Sequence, residues 1–130
     1  MTLRTILAVA AGGVVGTGLR LGVDTLLPHA RDGFPLSTLL VNIVGALVLG
    51  ILVARVWPTA PEWLRGALGA GVLGSFTTFS AIAVAMVELP IAIAALYLAL
   101  SLVLGLGAAL LGLRIGRRPS GTTSIDPVNE

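Results

Sequence analysis

From Gly66 to Val87 the chain runs 22 residues without a charge. A helix of that length crosses the hydrocarbon of a bilayer. At the centre of the run stands Gly74-Ser75-Phe76-Thr77-Thr78-Phe79-Ser80. Two adjacent threonines, two serines and a glycine are poor choices for a span that has only to be apolar. Backbone that leaves the helix at membrane depth is tolerated only where it is buried in protein or lines a polar cavity. The segment therefore predicts a helix broken mid-membrane, at a place where something polar binds or passes.

Composition agrees with a membrane class. The chain is 56% hydrophobic and 11% charged, with a mean hydropathy of +1.03, whereas about a quarter of a soluble domain is charged. Its 130 residues form one domain with no room for an appended soluble module. Cysteine is absent, which excludes disulfides, thiolate metal sites and cysteine nucleophiles. A basic pI suggests nucleic acid, but the net charge is only +2 and lysine is absent. The arginines instead sit at the ends of apolar runs, as membrane-flanking residues do. No nucleic-acid partner is expected; the surroundings are lipid.

Four apolar segments are legible: Leu3 to Val23, with Arg20 inside it, Gly33 to Ala54, Gly66 to Val87, and Leu89 to Leu113. Short polar connections separate them. They contain Pro28, His29, Arg31 and Asp32 in the first, Pro58 and Pro61 in the second, and Glu88-Leu89-Pro90 as a tight third turn. Residues 1–116 thus form a four-helix transmembrane domain, and 117–130 a polar tail of disordered composition. The first segment also has signal-peptide features, with Ala8-Val9-Ala10 at a cleavage-like position. Its apolar stretch continues well past Ala10, so it is read as the first span.

With four spans, the two termini and the second connection share one side of the membrane. That side carries Arg4, Arg55, Arg65, Arg114, Arg117 and Arg118, against Arg20 and Arg31 on the other. The bias predicts a multi-pass membrane protein with both termini in the cytoplasm. Small residues recur at four-residue spacing in Gly12/Gly16, Gly18/Gly22, Ser101/Gly105 and Gly112/Gly116, a pattern of close helix approach. Four spans enclose little interior, so this packing is expected within a dimer.

No catalytic or metal-binding constellation stands out. His29 reads as a surface residue, and no helix centre carries Asp, Glu or Lys. Gly69-Ala-Gly-Val-Leu-Gly74 matches a dinucleotide fingerprint but has no preceding strand. An enzyme is not expected. What remains is a sparse set of uncharged polar groups. Thr38 and Asn42 share a face of the second span, Tyr97 and Ser101 a face of the fourth, and Thr77, Thr78, Phe79 and Ser80 stand in the third. Asn42 serves either as interhelical glue, worth about 0.6 kcal/mol, or as a donor on an ion path. Ser101 either back-bonds to its own helix or joins that path. A cation route would want carboxylates or carbonyl rings. Hydroxyl and amide donors, with the positive edge of a phenyl ring, suit a small anion and replace part of its hydration shell without trapping it. A helix break also exposes N–H groups that favour anions and carbonyls that favour cations.

These residues resemble the CrcB/Fluc family of fluoride channels. Gly12-Gly-Val-Val-Gly16-Thr-Gly-Leu-Arg20 is similar to the family's first-helix signature, and Phe34-Pro-Leu-Ser-Thr38-Leu-Leu-Val-Asn42-Ile-Val-Gly45 to its second. Gly71-Val-Leu-Gly74-Ser-Phe-Thr77-Thr78-Phe79-Ser80 is similar to the third-helix break, and Tyr97 followed by Ser101 to the fourth helix. The resemblance covers roughly Gly12 to Gly112. It implies an all-α protein of four transmembrane helices in the bacterial cell (inner) membrane, assembled as an antiparallel, dual-topology-type dimer that exports fluoride passively and so lowers its toxicity. It further implies that Asn42 and Phe79 line a fluoride path whose polar track includes Thr38, Tyr97 and Ser101, alongside the Thr78 and Ser80 hydroxyls. A structural Na⁺, not transported, would be held by the Gly74 and Thr77 carbonyls, and Arg20 would be structural.

One position departs from the family pattern. Ile82 stands where a second phenylalanine is usual and has no ring edge to offer an anion. That departure and the arginine bias favour a heterodimer with an oppositely inserted paralogue over a homodimer. Two other readings compete with a conducting channel. A small multidrug-type proton-coupled exporter requires a membrane-embedded carboxylate, and none lies between Thr5 and Val23. A non-conducting partner subunit is the other, suggested by Ile82.

Overall fold

The computed structural model describes residues 1–27 and 34–117. The connection bearing His29 and Arg31 and the tail beyond Arg117 lie outside the described residues. Helix α1 spans Leu3–Leu26. Thr2 starts it from extended backbone, its hydroxyl oxygen accepting the Thr5 N–H at 3.3 Å, which satisfies one of the donors that every helix start leaves over. The helix runs unbroken through Ala8-Val9-Ala10, so the signal-like stretch is the first part of a helix of spanning length.

Helix α2 spans Leu36–Arg55 and α6 spans Ile91–Gly116. Proline stands immediately before each, and Pro61 before the third span; at a helix start its missing N–H costs no intrahelical bond. The third span, Glu62–Glu88, is not uniform. It opens as α3 (Glu62–Gly66), widens into a π-helical stretch at Ala67–Leu73, and tightens to a short α4 (Gly74–Phe76). It resumes as α5 (Ser80–Glu88) after three residues, Thr77 to Phe79, that are not helical. Among the described residues there is no strand, and four helical stretches are long and apolar enough to cross a membrane.

The helices pack as two close pairs, α1 against the third span and α2 against α6. Glycine sets both contacts. A Cβ on Gly12 would strike the Ala67 carbonyl, and one on Gly16 the Val72 carbonyl, while one on Gly71 would lie 2.7 Å from the Val9 carbonyl. In the second pair, Gly50 faces the Ala109 carbonyl and Gly112 the Leu47 carbonyl. In lipid no water-driven force brings helices together, so close backbone approach supplies the attraction. Gly12/Gly16 and Gly112/Gly116 were expected between subunits; they are used inside the chain. Gly18, Gly22 and Gly105 have nothing within 4 Å.

The same contacts fix which ends meet. The Arg4 guanidinium lies 4.5 Å over the Trp63 ring, joining the start of α1 to the start of the third span. Gly116 packs on Ile51 and Ala54, joining the ends of α6 and α2. Arg4, Arg55, Arg65 and Arg114 therefore belong to the ends that these contacts unite. Inside, Leu39, Ala85 and Tyr97 form a small core, with Ile43, Ile82 and Leu89 against it. Large side chains such as Val14, Leu102, Val103 and Leu106 are exposed, as residues that meet lipid or another subunit must be.

Gly16→Ala should lower the unfolding temperature of the detergent-solubilised protein, by an overpacking cost of about 1–3 kcal/mol. Gly18→Ala, which meets nothing, should leave it unchanged or raise it. Equal effects at the two positions would contradict this packing.

Candidate ion-conducting site

The non-helical residues of the third span are held from the side by α2. Thr77 adopts extended backbone (φ −80°, ψ 158°), so the chain stops climbing and Thr78 turns toward Asn42. The Asn42 side chain then pairs with one residue twice. Its Nδ2 donates to the Thr78 carbonyl at 3.0 Å, and its Oδ1 accepts from the Thr78 N–H at 2.8 Å. This amide acts as a strand would, satisfying a donor and an acceptor that the broken helix has released. Such groups cost several kcal/mol when left unpaired in hydrocarbon, by order of magnitude.

Side-chain hydroxyls close the two helix ends. Thr77 Oγ1 donates to the Leu73 carbonyl at 2.8 Å, and the Thr77 N–H donates to the same oxygen at 2.9 Å. Beyond the break, Thr78 Oγ1 accepts from the Ala81 N–H at 3.3 Å and so caps α5. It also lies 3.0 Å from Ser80 Oγ. A Thr-Thr-x-Ser sequence thus ends one helix and starts the next with its own oxygens.

The diversion of Thr78 has a consequence for the carbonyls. In a continuous helix the Thr78 N–H would bond the Gly74 carbonyl; here it is spent on Asn42. The last turn of α4 consequently presents oxygen without its usual donor, beside the re-aimed carbonyl of Thr77. Uncharged oxygens of this kind suit a hard cation. Among the described residues no group of three or more His, Cys, Asp or Glu is placed to hold a metal.

A groove of about 400 Å³ opens along this segment, with Asn42, Gly74, Thr77, Thr78, Phe79 and Ile82 on its walls. Phe79 is 78% exposed while Thr78 is 8% exposed, so the ring projects from an otherwise anchored break. Ile82 both lines the groove and packs on the core. The remaining predicted residues form a second cluster. Tyr97 is fully buried, its ring edge-on to Phe34 at 5.2 Å between centroids. Its hydroxyl lies near Ser101 and Thr38. The Tyr97 and Ser101 hydroxyls nonetheless complete no hydrogen bond, an expensive state for buried polar atoms.

The structure thus joins Asn42, Thr78 and Ser80 directly, sets Phe79 beside them, and gathers Thr38, Tyr97 and Ser101 separately. Thr38 and Asn42, one turn apart on α2, connect the two groups. Of Asn42's two readings, the helix-linking one is met by the Thr78 bonds, yet one Nδ2 hydrogen is left for another acceptor. Gly45, Gly69 and Leu73 also line the groove. In sequence they stand inside the motifs already described, but carry no polar side chain that would single them out as groove residues.

The family model described as CrcB-like protein, Camphor Resistance (CrcB), matches residues 7–113. A protein of Paracoccus denitrificans named fluoride-specific ion channel FluC is 44% identical over 118 residues, covering 88% of this chain and 95% of that protein. FluC of Deinococcus radiodurans is 41% identical, covering 84% of this chain and 92% of that protein. FluC 2 of Halalkalibacterium halodurans is 40% identical, covering 85% and 84%. The matched region runs from the second turn of α1 to the last turn of α6 and takes in both sides of the break, and on that span the chain belongs to the CrcB family.

Proposed function

We propose that this chain is a fluoride-specific channel that exports the anion passively from the cytoplasm. What carries the reading is its 44% identity, over 88% of its length, with a protein named for that activity. The geometry supports it. The remaining Asn42 hydrogen, the Thr78 hydroxyl and the edge of an exposed Phe79 ring offer weak donors along one groove, with the Ser80 hydroxyl against Thr78. The uncompleted hydroxyls of Tyr97 and Ser101 extend the series. No Lys or Arg is among the groove-lining residues, so an anion is solvated there without being trapped. Hydrogen fluoride enters an acidified cell as the neutral acid and ionises inside. The channel returns the anion down its electrochemical gradient.

In this reading the interruption at Thr77 to Phe79 lies at mid-membrane, and two antiparallel subunits face each other across it. The Gly74 and Thr77 carbonyls would hold a structural Na⁺ whose charge compensates carbonyl oxygen freed by the break. Both termini are cytoplasmic. The arginine bias favours an oppositely inserted paralogue as partner, and relatives bearing the names FluC 2 and FluC 3 are in keeping with paired genes.

Four measurements test the proposal. Liposomes containing the protein, with its paralogue if one exists, should release fluoride at least about tenfold faster than chloride, a barrier difference of about 1.4 kcal/mol. Asn42→Ala should abolish most of that flux and destabilise the fold by about 1–3 kcal/mol, because two backbone groups lose their partner. No fluoride efflux from the unaltered assembly would overturn the function. Replacing Na⁺ by a large organic cation throughout preparation should abolish flux, whereas full activity without Na⁺ would remove the ion from the account. C-terminal topology reporters should place the tail in the cytoplasm. Equal signal on both sides, with efflux from this chain alone, would establish a homodimer instead.

A further inference from the structure

We infer that Gly45 is a positioning residue for the break: its missing side chain is the socket that fixes Thr77, and with it the direction of the chain where α4 ends. The inference rests on the channel reading only for its flux measurement. Gly45 is buried on α2, three residues beyond Asn42. A Cβ placed on it would overlap the Thr77 methyl, Cγ2, and would lie 3.6 Å from the Phe76 ring. The methyl occupies the space that any other residue would fill.

The Thr77 side chain cannot simply turn away. Its hydroxyl is bonded to the Leu73 carbonyl at 2.8 Å, and threonine is β-branched, so one rotation moves hydroxyl and methyl together. Relieving an overlap at Gly45 requires either giving up the Leu73 bond or shifting the backbone of Thr77. That backbone carries the extended turn which delivers Thr78 to Asn42, 2.8 Å from its Oδ1. Thus α2 holds the break at two points on one face. Asn42 grips Thr78 by hydrogen bonds, and Gly45 admits the methyl of Thr77. The polar grip sets where the chain goes, and the socket sets the rotation with which it arrives.

The test is a double-mutant cycle in the full-length protein, Gly45→Ala crossed with Thr77→Ser. Serine keeps the hydroxyl for Leu73 and deletes only the methyl that alanine would meet. Gly45→Ala alone should lower fluoride flux by about tenfold or more and lower the Tm in detergent. In the double variant both quantities should return to those of Thr77→Ser alone, within about twofold for flux. Rescue of this kind distinguishes a socket for one methyl from a general need for glycine in α2. Gly45→Ala with unaltered flux and Tm, or a loss that Thr77→Ser does not relieve, overturns the inference. The Tm cycle decides alone if Thr77→Ser itself conducts poorly, or if the unaltered chain passes no fluoride: additive Tm changes reject the socket, and non-additive rescue supports it. If Gly45→Ala fails to fold, recovery of folded protein in the double variant supports the inference, and its failure to fold rejects it.

Discussion

A helix interrupted within an apolar span releases backbone donors and acceptors that have no partner in their own helix, and the fold depends on how Asn42 takes them up. One primary amide, on a helix distant in sequence, pairs with both polar groups of Thr78. The pairing fixes the distance between α2 and the third span and the direction in which the chain re-enters α5. It also diverts the N–H that would otherwise bond the Gly74 carbonyl. A single side chain therefore stabilises the interruption from a neighbouring helix.

The rest of the molecule brings α2 and the third span to that meeting. Neither is held by a large core, since among the described residues only Leu39, Ala85 and Tyr97 make a buried apolar cluster. They are held by backbone contact. The π-helical stretch Ala67–Leu73 lies against Gly12 and Gly16, and α2 lies against Gly112. A π turn widens the helix and shifts the facing of everything that follows. In the third span it lies directly before the short α4, so it contributes to the angle at which Thr77 leaves the helix. Close glycine packing and an altered helical pitch thus act on the same few residues.

The two polar clusters differ in how they are satisfied. Around Thr78 the hydrogen bonds that end one helix and begin the next are completed, and the ring of Phe79 is left as the exposed group. Around Tyr97 the burial is deeper, yet the hydroxyls of Tyr97 and Ser101 lack partners. The first cluster is thus a completed polar frame, and the second a set of buried hydroxyls beside it.

Much of this was legible before any coordinates. Four apolar segments, three of them charge-free, and the arginines around them dictate four membrane helices, because the cost of burying charge and of leaving backbone unpaired in lipid permits little else. Thr77-Thr78-Phe79-Ser80 marks the third span as unusual, since hydroxyls gain nothing in a purely apolar role. The motifs also carry the family resemblance that the comparisons support. Other features belong to the tertiary structure. Glycines at Gly12, Gly16, Gly18 and Gly22 look equivalent in sequence, yet two face the third span and two face nothing, because helix rotation is decided by the partner helix. The non-helical stretch is narrower than Gly74 to Ser80, since the last turn of α4 remains helical through Phe76. Asn42 and Thr78 are 36 residues apart, and Gly45 lies on α2 while Thr77 lies in the interruption of the third span. Whether such residues meet depends on interhelical distance and rotation, which local periodicity does not specify.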